Sequence, residues 1–180
     1  MNIRINKNYE RKISKITAAN VQLNTALELF FSNKSSITLI TLAYPAWYIV
    51  KDLLKHHKIA SSRDWIRDDH PQFMDKEVWN TLDKDWNFLK HAKDDPEAFL
   101  DFDDSYMETV LFFIINDFSN LAPQTTLMDF YQLWFVAKNE AIFSNYPIYI
   151  ESLTYFPNMK DHDLERQKKI FLQKLNEYYD

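Results

Sequence analysis

Apolar positions recur at helical intervals through most of this chain. Ile13, Ile16, Leu23, Leu27 and Phe30 fall at that spacing, with Val21 and Phe31 beside them. They predict a first helix from about Asn8 to Ser32. A polar break, Ser32-Asn33-Lys34-Ser35, follows. The next segment opens with the β-branched run Ile37 to Thr41, which has strand propensity. Its length and the later spacing of Leu42, Ala46, Ile49, Val50, Leu53 and Leu54 favour a helix from about Ser36 to His57, with Pro45 removing one backbone hydrogen bond. Residues 58–74 read as a connection with one helical turn around Arg63–Arg67. A further helix, with Asp75 as its N-cap, runs to about Lys93, and Pro96 closes it.

Ser105 and Glu108 have capping-box spacing. They introduce a helix to about Asn120 that is apolar nearly all round, as a central buried helix is. A helix over about Thr125 to Ile142 turns Leu127, Phe130, Tyr131 and Trp134 inward. A last one, from about Asp161 to Tyr178, uses Leu164, Phe171 and Leu175. Between these two, Phe143 to Lys160 reads as an irregular aromatic connector, broken by Pro147 and Pro157, with Glu151 its only charged residue before Lys160. It would either wrap its own bundle or meet a partner. The pattern as a whole is an all-α single domain of about five to six helices. Residues 1–142 form the bundle, and 143–180 add the connector and a C-terminal helix packed on the same domain.

Composition narrows the chemistry. The chain has no glycine and no cysteine. Average usage would supply about 7% glycine. Its absence removes the glycine-dependent phosphate loops of dinucleotide-binding and P-loop enzymes and the tight turns of most β-folds. Helix ends must then use Asn, with Asn33 and Asn120 as candidates, or stop without the glycine of a Schellman cap. No cysteine leaves no thiol nucleophile, disulfide or Cys-ligated metal. The formal net charge is −5, so bulk attraction to polyanions is not expected. The longest uninterrupted apolar run, Val110 to Ile115, is far short of the roughly twenty residues that span a membrane. The charged opening MNIRINKNYERK has no apolar stretch after it, so no signal peptide and a cytoplasmic location are expected.

Four sets of residues carry candidate chemistry. At 100° per residue, Asn80, Asn87, His91 and Asp94 share one helical stripe, opposite Leu82 and Leu89. A His with flanking Asn and Asp can act as acid or base with an orienting partner, and a solvated helix face has the same pattern. The five histidines make no H-E-x-x-H or E-x-x-H pair, and His56 and His57, adjacent on one helix, diverge; no metal and no cofactor are expected. The acidic run from Asp94 to Asp104 lacks the spacing and the glycine of a calcium loop. Finally, Lys51, Lys55, His56, His57, Lys58, Arg63 and Arg67 form a basic stretch with Trp47 and Trp65 nearby, diluted by Asp52, Asp64, Asp68 and Asp69. Lysine, arginine and indole together suit RNA by phosphate contact and stacking.

At Asn87-x-x-Lys90-His91 the sequence resembles the HEPN superfamily of helical proteins, whose hallmark is an Arg, usually followed by a polar residue, with a His four to six positions after the Arg. The wider pattern is similar to a family of uncharacterised bacterial helical proteins, over LNTALELFF (23–31), SITLITLAYPAWYIVKDL (36–53), NFLKHAKDDP (87–96) and the Trp134 helix, roughly residues 13–142. The resemblance implies either a metal-independent ribonuclease acting as a symmetric dimer in toxin–antitoxin or defence systems, or a non-catalytic RNA-binding or scaffold domain. Asn87 and His91 match the polar residue and the His. Trp86 stands where the Arg would, and an indole cannot stabilise a charged phosphorane-like transition state.

The leading expectation is therefore a non-catalytic helical interaction or RNA-associated protein, a homodimer in a bacterial defence or stress setting, with Asn80, Asp94, Arg63, Arg67 and Trp65 as binding residues. One alternative is a ribonuclease using His91 with Asn87 and Lys90. Another is a small-ligand binder with a pocket lined by Trp47, Trp65, Trp79 and Trp86.

Overall fold

A computed structural model describes residues 12–32, 36–69, 76–91, 93, 96–101 and 106–180, with backbone alone at 36, 65–67, 69 and 76–82. The described residues are helical and contain no strand. Among the described residues nine helices run in chain order: α1 (Lys15–Phe31), α2 (Ser36–His57), α3 (Ser62–Asp69), α4 (Lys76–Lys90), α5 (Met107–Ser119), α6 (Thr126–Lys138), α7 (Glu140–Phe143), α8 (Pro147–Tyr155) and α9 (Leu164–Tyr179). A 3-10 turn, Met159–Asp161, precedes α9. Six of the nine have at least 13 residues.

Polar side chains set several helix starts. Ser14 accepts from the Thr17 N–H at 3.1 Å, and Asp163 from the Arg166 N–H at 2.8 Å, each satisfying a donor the helix cannot. α1 therefore begins seven residues later than its apolar spacing predicts. Ile13 lies outside it, 64% exposed, and Val21 faces solvent. The expected cap Asp75 and the capping-box residue Ser105 lie outside the described residues. Glu108 instead pairs with Lys138 of α6 at 2.5 Å, and the Tyr131 hydroxyl donates to the Glu108 carbonyl at 2.7 Å.

α1 and α2 pack along each other, α5 lies against α2, and α6 touches α1, α5, α7, α8 and α9. Leu23, Leu27, Ile40, Tyr44, Leu111, Ile114, Tyr131 and Trp134 are fully buried where these helices meet. Burying each such side chain contributes roughly 1.5–3 kcal/mol against the entropy of ordering the chain. The last helix is fastened by aromatic rings. Phe171 stacks on Phe31 at 3.5 Å and 2°, and on Phe156 at 6.0 Å and 4°. Leu164, expected inward, is 43% exposed.

The connector between α6 and α9 is not irregular. Pro147 takes the first position of α8, where its missing N–H costs nothing, so it starts a helix rather than breaking one. Tyr149, Ser152 and Phe156 are buried, and α8 packs on α6 of the same chain. One helix, over Ile37–His57, is long and apolar enough to cross a membrane by length and composition. Its Leu39, Ile40, Ala43, Tyr44, Ala46, Val50 and Leu54 are covered by the other helices.

Candidate functional site

The end of α2 builds one wall of an open cleft. Lys58 takes φ 58°, a left-handed conformation that a side chain disfavours. Its N–H donates to the Lys55 carbonyl at 3.2 Å and the Ile59 N–H donates to the Leu54 carbonyl at 2.9 Å. Those two bonds are a Schellman cap with lysine in the glycine position. They end α2 without the Schellman glycine, and with lysine rather than Asn in its place. Asn120 keeps right-handed backbone at the end of α5, and Asn33 lies outside the described residues.

The reversed chain enters α3 through a reciprocal cap. The Asp64 N–H donates to the Ser61 hydroxyl oxygen at 3.2 Å, and the Ser61 N–H donates to the Asp64 carboxylate at 3.0 Å. A longer-range hook fixes the new helix against α5. The N–H and hydroxyl of Ser62 both donate to Asp117, at 2.6 and 2.7 Å, and the Asn116 amide donates to the Ser62 hydroxyl at 3.0 Å. Asp117 is 1% exposed. Burial pushes its carboxyl above the ordinary range, and the two Ser62 bonds pull against that rise.

The cleft so formed measures about 590 Å³ and is lined from α2, α3, α4 and α5. α2 supplies Trp47, Tyr48, Lys51, Lys55 and, just past its end, Lys58. Lys51 and Lys55, spaced i, i+4, share one face of α2, and Lys58 lines the same cleft from beyond the helix end. None of the three makes an ion pair with a described residue. Arg63 joins them. Asp64, Asp68, Asp83 and Asp117 supply opposite charge, and two of these carboxylates are already engaged by the start of α3.

Tyr48 is where three helices converge. The Lys51 and Lys90 ammonium groups stand 5.2 and 5.9 Å from its ring centre. Burial and Asp83 raise its hydroxyl pKa, and Arg63 lowers it. Behind it, Trp86 stacks on Tyr44 at 6.1 Å and 10°. The Tyr106 hydroxyl donates to the buried Asp85. Burial first, then that carboxylate, holds the Tyr106 hydroxyl protonated far above ordinary pH.

The residues singled out in the sequence are only partly gathered here. Arg63 lines the cleft, and Lys90 reaches its aromatic edge, 5.9 Å from both Tyr48 and Trp86. Asn87 and His91 are exposed at the end of α4, where the His91 N–H donates to the Asn87 carbonyl at 3.0 Å; neither lines the cleft. Arg67 and Trp65 sit on α3 and Asn80 on α4, with side chains outside the described residues, as is Trp79. Asp94 is outside them altogether. Trp47 lines the cleft, whereas Trp86 packs on the core. Among the described residues no three His, Asp or Glu side chains cluster as metal ligands. Asp83 and Asp117 were not singled out. Asp117 did carry a signal, as a lone carboxylate in the apolar run of α5.

Compared with known proteins, the chain matches no family model, no curated protein and no solved structure.

Proposed function

We propose that this is a non-catalytic helical binding protein of HEPN-like architecture that engages RNA at the α2–α3 cleft. One observation carries the reading: Lys51, Lys55 and Lys58 line one cleft, without ion-pair partners among the described residues, beside Trp47 and Tyr48. Ammonium groups meet phosphates, and the rings offer stacking to bases of any sequence. The proposal extends to a cytoplasmic homodimer in a bacterial defence, stress or toxin–antitoxin setting. Fluorescence anisotropy with labelled single-stranded RNA tests it. The wild type should bind, and Lys51→Glu/Lys55→Glu/Lys58→Glu should weaken binding more than tenfold. Equal binding by the two proteins would refute the site.

The size of the cleft favours a second reading. A volume of about 590 Å³ lies within the roughly 300–1,000 Å³ of small-molecule pockets. Under that reading the triple variant loses binding to a compact anionic metabolite while RNA never binds. The ribonuclease alternative would rest on Asn87, Lys90 and His91; RNA cut in EDTA by the wild type and left intact by His91→Ala would establish it.

A further inference from the structure

A second concavity lies between α6, α8 and the end of α9, and it shares no lining residue with the cleft. It measures about 310 Å³. α6 contributes Asp129 and Phe130, α8 contributes Glu151 and Tyr155 from one face, and α9 contributes Tyr178. Phe130 is nearly buried, and the two tyrosines are partly exposed around it. Their ring centres stand 5.5 and 5.2 Å from that of Phe130, both near edge-on. Three aromatic rings from three helices thus meet two carboxylates.

No lysine, arginine or histidine lines this groove. Neither Asp129 nor Glu151 makes an ion pair with a described residue. Glu151 is the one charge in the otherwise uncharged stretch from Phe143 to Met159, and it faces this groove. Burial holds the Asp129 carboxyl above its ordinary range, as expected of a carboxylate short of compensating positive charge.

We infer that this groove binds an alkylammonium group, held by the ring faces and neutralised by Asp129 and Glu151. Ring quadrupoles attract such cations, and a methylated ammonium sheds water more readily than a bare one. Two sources share this chemistry: a free quaternary amine, or a trimethylated lysine side chain on a partner protein.

The test is an NMR titration of the full chain with three probes: tetramethylammonium, a trimethyllysine peptide, and the same peptide carrying the uncharged tert-butyl isostere. Saturable shifts at Phe130, Glu151, Tyr155 and Tyr178 with either cation support the site. Binding of tetramethylammonium at least as tight as that of the peptide assigns a free amine, and markedly tighter binding of the peptide assigns a side chain. Glu151→Gln and Tyr178→Ala should each weaken binding about tenfold, at unchanged melting temperature since both positions are exposed. Lys51→Glu/Lys55→Glu/Lys58→Glu should leave it intact, which separates this site from the cleft. Equal binding of the uncharged isostere, unchanged binding by both groove variants, or no saturable shift with either cation would overturn the inference.

Discussion

Removing the Asp117 carboxylate should loosen the wall that carries Arg63. Asp117 accepts two bonds from Ser62, and Ser62 is itself 7% exposed. Asp117→Ala leaves the Ser62 N–H buried without an acceptor. The Asn116 amide donates to the Ser62 oxygen at 3.0 Å, so the hydroxyl hydrogen also loses its acceptor. Two buried orphan donors cost about 1–3 kcal/mol each, and hydroxyl rotation and relief from burying a carboxylate offset part of it. We expect a net loss of about 2 kcal/mol. Asp117→Asn keeps an acceptor oxygen and removes the buried charge, so it should stay within about 1 kcal/mol of wild type.

Both variants also differ from the wild type in pH dependence. Because the folded-state pKa of Asp117 is raised, the native protein binds its proton more readily than the unfolded chain. That contribution favours folding below the ordinary carboxylate value and is lost as pH rises through the raised one. Stability attributable to this group therefore falls with rising pH across that window, and Asp117→Asn should flatten the fall. Urea unfolding read by tryptophan fluorescence, at several pH values, gives both quantities. If Asn proves as destabilising as Ala, or Ala proves neutral, the hook does not hold α3 as described.

Phe171→Ala should cost about 3–5 kcal/mol, because the ring is fully buried and stacked on Phe31 and Phe156; urea curves by fluorescence and circular dichroism should still coincide, and a loss under 1 kcal/mol would mean α9 is not part of the core. Lys58→Gly should raise stability by about 1 kcal/mol in thermal melts, since glycine carries no penalty at φ 58°, and the cleft would lose one ammonium group. Light scattering should give twice 21.7 kDa if the chain pairs with itself, and a monomer at high concentration removes the dimer from the proposal.

The elements most readable in the sequence were those with sustained apolar periodicity. The bounds of α2 follow directly from its pattern, with Pro45 accommodated inside it. α8 is not readable in the sequence because a proline breaks a helix or starts one equally well, and only its place in the chain's three-dimensional course makes Pro147 a start. Lysine at the left-handed position ending α2 has no sequence signature, because any glycine-free chain must force some residue there. The basic half of the cleft was visible from Lys51 to Arg63 as consecutive positions. Of its acidic half, Asp64 and Asp68 were visible in the same stretch, but Asp83 and Asp117 were not, because they arrive from α4 and α5, and Asp117 meets Ser62 across 55 residues of chain. The stripe through Asn87 and His91 needs a helix running to Lys93, whereas α4 ends at Lys90; Asn87 and His91 stand outside the cleft, and Lys90 approaches Tyr48.

The salt dependence of single-stranded RNA binding tests the central claim most directly. Three lysine–phosphate contacts should give the wild type a slope of log affinity against log salt steeper by about 2 than that of Lys51→Glu/Lys55→Glu/Lys58→Glu. Parallel slopes with equal affinities, or no binding by the wild type even at low salt, would contradict an RNA-binding cleft.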